Sequence, residues 1–190
     1  EKRKRLLKAI NQSKSIAQLA GNPLLLTMMA ILNRHQELPR DRADLCHQCA
    51  RLLLHQWDVE RKLLAEFPGM SAEIGLREKT EILRLIAARM QESPGGLQGN
   101  IIDGTALTGL IEDYVHERLR FEQPRAVARA LVRQLRERNF ILCYLGADTY
   151  AFVHRTFLEY FCAAEIVHRF NVAKTLDIDG LVALFDEHCR

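Results

Sequence analysis

One stretch of the sequence, FILCYLGADTYAFVH (Phe140–His154), breaks the helical periodicity of the rest of the chain and so limits the available folds most strongly. Aromatic and β-branched residues lie on both sides of GADT (Gly146–Thr149). This composition is typical of two strands joined by a tight turn. We predict a β-hairpin with a four-residue turn in a chain that is otherwise helical.

Three amphipathic patterns precede the hairpin, each with apolar residues three and four positions apart. The apolar positions of the first pattern are Ile82, Leu83, Leu85, Ile86 and Met90. Those of the second are Leu107, Leu110, Ile111, Tyr114, Val115 and Leu119. Those of the third, which follows Pro124, are Val127, Ala130, Leu131 and Leu135. Three helices followed by a two-stranded hairpin is the element order of a winged-helix domain.

The N-terminal part of the chain has the pattern of a helical bundle. Asn22 is a suitable N-cap, and Pro23 suits the first helical position, where its missing N–H would be unpaired in any case. The helix that begins there is apolar almost all round, which predicts central burial. Another helix is expected from Asp41 to about Trp57, and Phe67-Pro68-Gly69 marks a break after it.

We therefore predict a mainly α protein, in which a small helical bundle is followed by a winged-helix domain with one β-hairpin. The predicted units are a helical domain over residues 1–60, the winged-helix domain over 61–170, and the start of a following region over 171–190.

The composition does not indicate a nucleic-acid-binding, membrane-spanning or disulfide-rich protein. The 190 residues carry 27 Lys and Arg against 24 Asp and Glu, a net charge of +3 that does not by itself indicate nucleic acid or membrane. The longest apolar run, PLLLTMMAIL from Pro23, is too short for a bilayer. No signal peptide precedes it and the sequence lacks an initiating Met, so we expect a piece of a longer cytoplasmic protein. Five cysteines, an odd number, fit reduced thiols.

Cys46 and Cys49 form a CxxC motif, which can bind zinc or carry redox chemistry. Zinc would need two further ligands, and His47 should point away from both thiols on a helix. We interpret the pair as core residues and predict no metal site. The sequence contains no GxxxxGK[ST], no GxGxxG and no nucleophile elbow, so no catalytic residue is predicted.

The third predicted winged-helix helix carries four arginines within about 80° of one another on a helical wheel. They are Arg125, Arg129, Arg133 and Arg136. In winged-helix DNA-binding proteins this helix enters the major groove, and each arginine at a phosphate would add salt-dependent affinity. The other interpretation is a solvated helix face, which the mild net charge favours. A DNA-binding regulator stays as the alternative function.

The stretch FVHRTFLEYFCAAEI (Phe152–Ile166) begins with His154 and Arg155, where the hairpin meets a helix that is apolar nearly all round. Two interpretations of His154 remain open. It can cap the strand-to-helix turn, which the residues alone favour. It can instead donate a hydrogen bond to a phosphate, because a helix N-terminus attracts anions.

Two blocks of the sequence resemble one known family. AGNPLLLTMMAILNRHQELPRDRADLCHQCARLLLHQW (residues 20–57) is similar to the helical segment that follows the nucleotide-binding core in NACHT-type STAND NTPases. YAFVHRTFLEYFCAAEI (residues 150–166) is similar to the end of their winged-helix domain. The spacing between the blocks also fits, so the resemblance extends over most of the chain.

The resemblance implies an ATP/ADP-dependent molecular switch. Pro23 would pack against the adenine end of the nucleotide, and His154 would contact the ADP β-phosphate and hold a closed, monomeric state. Exchange for ATP would release the winged helix and allow the nucleotide-binding modules to form a homo-oligomer. Such assemblies signal in host defence, including defence against phage, or in programmed cell death.

The resemblance also implies where the nucleotide is held. The family's phosphate-binding loop, Mg²⁺-binding acidic residues and catalytic strands are not in this sequence and would lie upstream of Glu1. ATP or ADP with Mg²⁺ is therefore expected on an upstream NACHT core, and not on this segment alone. This segment is not expected to be an enzyme by itself, whereas the whole protein would be an ATPase-type switch.

The expected partners of the switch are the upstream core, a downstream sensor domain and further copies of the activated protein, with no membrane. Nucleic acid is an expected partner only under the DNA-binding alternative. Leu158 stands where the family commonly has glutamine, and we interpret it as a packing position.

Overall fold

The structure, a computed structural model, describes residues 2–55, 74–92 and 99–188. Its N-terminal part consists of four helices: α1 (Lys2–Gln12), α2 (Lys14–Ala20), α3 (Pro23–Leu32) and α4 (Arg42–His55). The predicted helix end at Trp57, the break at Phe67-Pro68-Gly69 and the domain boundary at residues 60 and 61 lie outside the described residues.

The second part has the element order of a winged helix. It comprises α5 (Leu76–Gln91), β1 (Ile102–Asp103), α6 (Gly104–Tyr114), α7 (Pro124–Glu137), β2 (Leu142–Gly146), β3 (Thr149–Phe152) and α8 (Arg155–His168). The π-helical turns Val115–Leu119 and Arg169–Ala173 continue α6 and α8, and α9 (Ile178–His188) follows. The predicted fold class, mainly α with a winged helix, is confirmed.

The sheet contains the predicted hairpin and one strand that the sequence pattern did not predict. The three strands are antiparallel in the order β1-β3-β2, and β1 joins through Ile102 opposite Tyr150 and Asp103 opposite Thr149. A strand of two residues is too short for any alternation to be visible in the sequence.

The hairpin turn is tighter than predicted. Ala147 and Asp148 form it alone, with φ of +48° and +54°. Two central residues with positive φ are the hallmark of a two-residue type I′ hairpin, because this geometry matches the twist of the strands. The flanking Gly146 and Thr149 belong to the strands, so the predicted four-residue turn is wrong by one residue at each end.

Local capping explains where several helices begin. The side chain of Asn22 accepts a hydrogen bond from the N–H of Leu25 at 3.1 Å, and Pro23 occupies the first helical position, as predicted. In the same way Asp103 accepts from the N–H of Ala106 at 2.9 Å and begins α6. Each side chain satisfies a helix N–H that otherwise has no intrahelical partner.

The buried residues form one continuous hydrophobic cluster that joins both parts of the molecule. It runs from Ile16 and Met29 in the N-terminal helices to Phe157 and Phe161 in α8. Within α3 only one face is buried: Leu25, Met28 and Met29 are inside, whereas Leu26 is 38% exposed. The prediction that this helix would be buried centrally is therefore wrong, because it covers the cluster from outside.

Helix α8 lies at the centre of the packing. It contacts α4, α5 and β3, and its buried side chains include Phe157, Leu158 and Phe161. The burial of Leu158 agrees with its interpretation as a packing position. In addition, the Cys162 thiol donates to the carbonyl of Ala87 in α5 at 3.1 Å.

Within the described ranges, no single helix is both long and apolar enough to cross a bilayer. Helices α2 and α3 satisfy the requirement only as a pair, and the chain bends by 115° between them.

Candidate functional site

His154 lies between the last strand of the wing and the first turn of α8. It is the N-cap of α8, with extended backbone angles of φ −148° and ψ 138°. The ring Nδ1 accepts a hydrogen bond from the backbone N–H of Thr156 at 3.1 Å. The imidazole is half-buried, so part of the ring faces solvent. The predicted cap at the strand-to-helix turn is thus confirmed.

The capping bond determines which hydrogen-bonding group the ring presents outward. A neutral imidazole has one N–H donor and one acceptor nitrogen. Since Nδ1 accepts from Thr156, the proton is on Nε2. Nε2 has no hydrogen-bond partner in the part of the chain that the structure describes. The two interpretations of His154 are therefore compatible, because one nitrogen caps the helix and the other is a free donor.

A network of charged residues connects the first turn of α8 with α4. Glu159 accepts from Arg155 Nε at 3.0 Å through one carboxylate oxygen and from Arg42 Nη2 at 2.9 Å through the other. One turn further along α4, His47 Nδ1 and the Tyr160 hydroxyl are 2.7 Å apart. The Arg155–Glu159 spacing of four residues is visible in the sequence, but the bond to Arg42, 117 residues away, is not.

Pro23 is exposed at the first position of α3, at the outer side of the helical bundle. Helix α3 packs against α4, and α4 in turn packs against α8, which carries His154. The structure therefore connects the two predicted nucleotide-contacting residues through α4. Both residues have surface available to another molecule.

The four arginines of α7 do not form a uniform basic surface. Arg125, Arg129 and Arg133 are exposed, whereas Arg136 pairs with Glu137 and lies 5.9 Å from the centre of the Tyr144 ring.

Acidic groups accompany these arginines. A groove of about 350 Å³ lined by Arg125 and Arg129 is also lined by Glu112 and Asp148. Residues 76–166 contain twelve Lys and Arg and twelve Asp and Glu, a formal charge of zero. An arginine whose charge is offset by a nearby carboxylate releases few counterions when it approaches DNA. The equal numbers of acidic and basic residues therefore weaken the case for a DNA-binding face.

Cys46 and Cys49 are buried inside the core on α4, as predicted. Desolvation raises the pKa of Cys46 to about 11, although the positive charge of Arg42 opposes the shift. Desolvation also raises the pKa of Cys49 to about 12. His47 points to Tyr160 and not toward the thiols. Among the residues that the structure describes, no group of three or more His, Cys, Asp or Glu side chains could hold a metal ion.

Comparison with known proteins identifies the fold's family. The family model described as a winged helix-turn-helix domain C-terminal to NACHT matches residues 42–166, from the start of α4 to near the end of α8. No curated protein and no solved structure matches the chain. Since the matched range spans more than half of the sequence, the chain belongs to the family of winged helix-turn-helix domains that lie C-terminal to NACHT.

Proposed function

We propose that this chain is the regulatory part of a NACHT-containing switch protein, which senses ADP bound to an upstream NACHT core and holds the protein closed. Membership of a family defined by its position C-terminal to NACHT implies such a core in the same chain. The nucleotide and its Mg²⁺ would be held mainly by that core. This chain would supply contacts that differ between the ADP-bound and ATP-bound states.

The geometry of His154 is the single observation that carries the proposal. A phosphate oxygen needs a donor, and Nε2–H is a donor whose orientation is fixed by the hydrogen bond that Nδ1 accepts from the N–H of Thr156. The same bond anchors the ring to the first turn of α8, so a force on the imidazole is transmitted to the central helix. The contact would thus couple the phosphates to the position of the whole winged helix.

Pro23 would add a second contact at the adenine end of the nucleotide. Its ring is exposed at the start of α3 and its φ is restricted, so it offers a rigid apolar surface that loses little entropy on binding. Because α3 and α8 both pack on α4, the two contacts would belong to one connected unit.

The energies show that His154 would bias the switch but would not hold it alone. A hydrogen bond to a charged group contributes about 1.5–3 kcal/mol. Shifting a two-state equilibrium from 1:99 to 99:1 requires about 5.5 kcal/mol. The remainder would come from packing between the winged helix and the upstream core. Exchange of ADP for ATP would remove the His154 contact and release the domain.

The released state would expose the nucleotide-binding modules for homo-oligomerisation, and a downstream sensor domain would control the exchange. We propose that the output is cytoplasmic signalling in defence or cell death. These steps concern the whole protein, and the proposal assigns to this chain only the closing contacts.

Two substitutions of His154 separate its capping role from its proposed phosphate contact. Serine is a good N-cap but cannot reach a phosphate, whereas alanine provides neither function. In the protein that carries its NACHT core, we expect both His154→Ser and His154→Ala to accelerate ADP dissociation by about 10- to 100-fold, the equivalent of one charged hydrogen bond. Only His154→Ala should also lower stability, by about 1 kcal/mol.

Asp103→Ala is the matched control, because it removes the N-cap of α6 without touching His154. Asp103→Ala should lower stability about as much as His154→Ala does, and it should leave ADP dissociation unchanged. If His154→Ser retains ADP as well as the unaltered protein does, His154 is a cap and nothing more.

The alternative function is a winged-helix DNA-binding regulator. The observation in its favour is the exposure of Arg125, Arg129 and Arg133 on the helix that would enter the major groove. The zero formal charge of residues 76–166 and the acidic lining beside Arg125 and Arg129 argue against it. We therefore rank the ADP-sensing switch first.

A further inference from the structure

Phe140 combines an unfavourable backbone conformation with an exposed aromatic ring. It lies between α7 and β2, has a φ of +52°, and is 56% exposed. In the described ranges, the other non-glycine residues with positive φ are Asn100, Arg120, Ala147, Asp148 and Lys174, which are small or polar. A bulky apolar residue in the left-handed region is a genuine outlier, and glycine or asparagine normally fills such a position after a helix.

The neighbours of Phe140 fix this conformation. The N–H of Asn139 donates to the carbonyl of Gln134 at 3.0 Å, and the N–H of Ile141 donates to that of Leu135 at 3.1 Å. The side chain of the buried Asn139 also donates to the carbonyl of Leu53 in α4 at 3.0 Å. Phe140 is therefore held rigidly in place, although its own side chain contributes little to the core.

Phe140 lies at the same end of the hairpin as His154. Val153 precedes His154 in the chain, and Ile141 follows Phe140. The N–H of Val153 donates to the carbonyl of Ile141 at 3.0 Å. Val153 itself is 36% exposed. Two exposed apolar residues, Phe140 and Val153, thus lie at the end of the hairpin that carries His154, whose Nε2 has no partner in the described part of the chain.

We propose that Phe140 and Val153 form a docking surface for the upstream NACHT core, beside the phosphate contact of His154. This inference rests on the proposed function, because that function brings the nucleotide-bearing face of the core to His154. A surface that approaches Nε2–H closely enough for a hydrogen bond comes to the end of the hairpin at which Phe140 and Val153 are exposed. Strained residues persist where the surroundings hold them and where a partner uses them.

The partner that docks on Phe140 and Val153 is thus the NACHT core of the same polypeptide, which family membership implies. Single exposed apolar residues are ordinary on protein surfaces, and Leu145, 59% exposed at the far end of β2, is one of them. Phe140 differs from Leu145 in its positive φ and in its position at the end of the hairpin that carries His154.

The substitution Phe140→Asn tests the proposal, because asparagine tolerates positive φ and removes the aromatic ring. In the 190-residue chain, the denaturant midpoint should stay the same or rise, since the backbone strain is relieved. In the protein with its NACHT core, dissociation of fluorescent mant-ADP should accelerate by about tenfold, as expected for loss of an aromatic interface anchor.

Two controls accompany it. Arg120→Asn changes another exposed residue with a φ of +56°, and Leu145→Asn removes an apolar side chain of similar exposure. Neither should alter mant-ADP dissociation.

The outcomes separate this inference from the proposed function. If His154→Ser accelerates mant-ADP release and Phe140→Asn does not, the docking surface is refuted and the phosphate contact stands. If only Phe140→Asn accelerates it, the surface stands and the role of His154 is wrong. A clear drop in the denaturant midpoint of Phe140→Asn would also overturn the inference, because Phe140 would then serve the domain's own stability.

Discussion

Gly104 donates its backbone N–H to the carbonyl of Asp148 at 2.7 Å, which fastens the tip of the wing to the first residue of α6. The side chain of Asp148 occupies the space beside the Gly104 Cα. A Cβ there would overlap Oδ1 of Asp148 and would lie 2.6 Å from its Cγ. A residue larger than glycine at this position would therefore require the exposed Asp148 side chain to change its rotamer.

Gly104→Ala should destabilise the chain by about 1 kcal/mol, because the Asp148 side chain must leave its present rotamer. Denaturant unfolding with far-UV circular dichroism measures this change. The double variant Gly104→Ala with Asp148→Gly should recover most of the loss, because it removes the clashing carboxylate and places glycine at a φ of +54°. If the losses caused by Gly104→Ala and by Asp148→Gly simply add in the double variant, the clash does not occur.

Two carboxylates on α8 should contribute very differently to stability. The side chain of Glu165 is 7% exposed and pairs with Arg84 in α5 at 3.4 Å, whereas that of Glu159 is 37% exposed and pairs with Arg42 at 2.9 Å. Removal of one partner from a buried pair leaves an uncompensated charge. We expect Glu165→Gln to cost about 3 kcal/mol and Glu159→Gln at most about 1 kcal/mol. The same unfolding assay compares them, and equal losses would contradict the burial argument.

The buried thiols of α4 should be almost inert at neutral pH. Desolvation raises the pKa of Cys46 from 9.0 to about 11, so at pH 8 the reactive thiolate is about a hundredfold rarer in the folded than in the unfolded chain. Mass spectrometry after iodoacetamide treatment should therefore find Cys143, which is partly exposed, modified before Cys46. Rapid modification of Cys46 in the folded chain would indicate a reactive CxxC motif.

The same shift predicts the alkaline limit of stability. Below pH 9 the Cys46 thiol is protonated in the folded and in the unfolded state. Its full contribution to the free energy of unfolding is therefore present below pH 9. Between pH 9 and about 11 the unfolded state ionises first, and stability falls as the pH rises. Cys46→Ala should reduce the slope of this decline, and an unchanged slope would assign the decline to other groups.

The DNA-binding alternative makes its own prediction. Phosphate contacts by Arg129 and Arg133 would make the affinity fall steeply with salt, and each arginine-to-alanine substitution would reduce the slope of log K against log salt by about one. We expect electrophoretic mobility shifts to show no such binding at 150 mM salt. Salt-dependent binding that both substitutions weaken would favour the alternative over the ADP-sensing switch.

Much of the fold was predictable from the sequence, because the responsible interactions are local. The helical periodicity of α5, α6 and α7, the cap at Asn22 with Pro23 behind it, and the apolar strands around the turn all depend on residues a few positions apart. Such interactions act in the same way in any tertiary context. The order of these elements is enough to indicate a winged helix.

Tertiary structure decided the features on which the candidate site depends. The strand β1 exists only because β3 lies beside it, and Glu159 meets Arg42 only after α4 and α8 have packed together. Asn139 reaches Leu53, and Val153 meets Ile141, only through the same packing, which brings the exposed ring of Phe140 to the end of the hairpin that carries His154. Sequence by itself determined the helices of the winged helix and the two strands of the hairpin, since these choices are made by neighbours along the chain. Packing alone determined which side chains are exposed together, because residues far apart in the chain become neighbours only when the core excludes water.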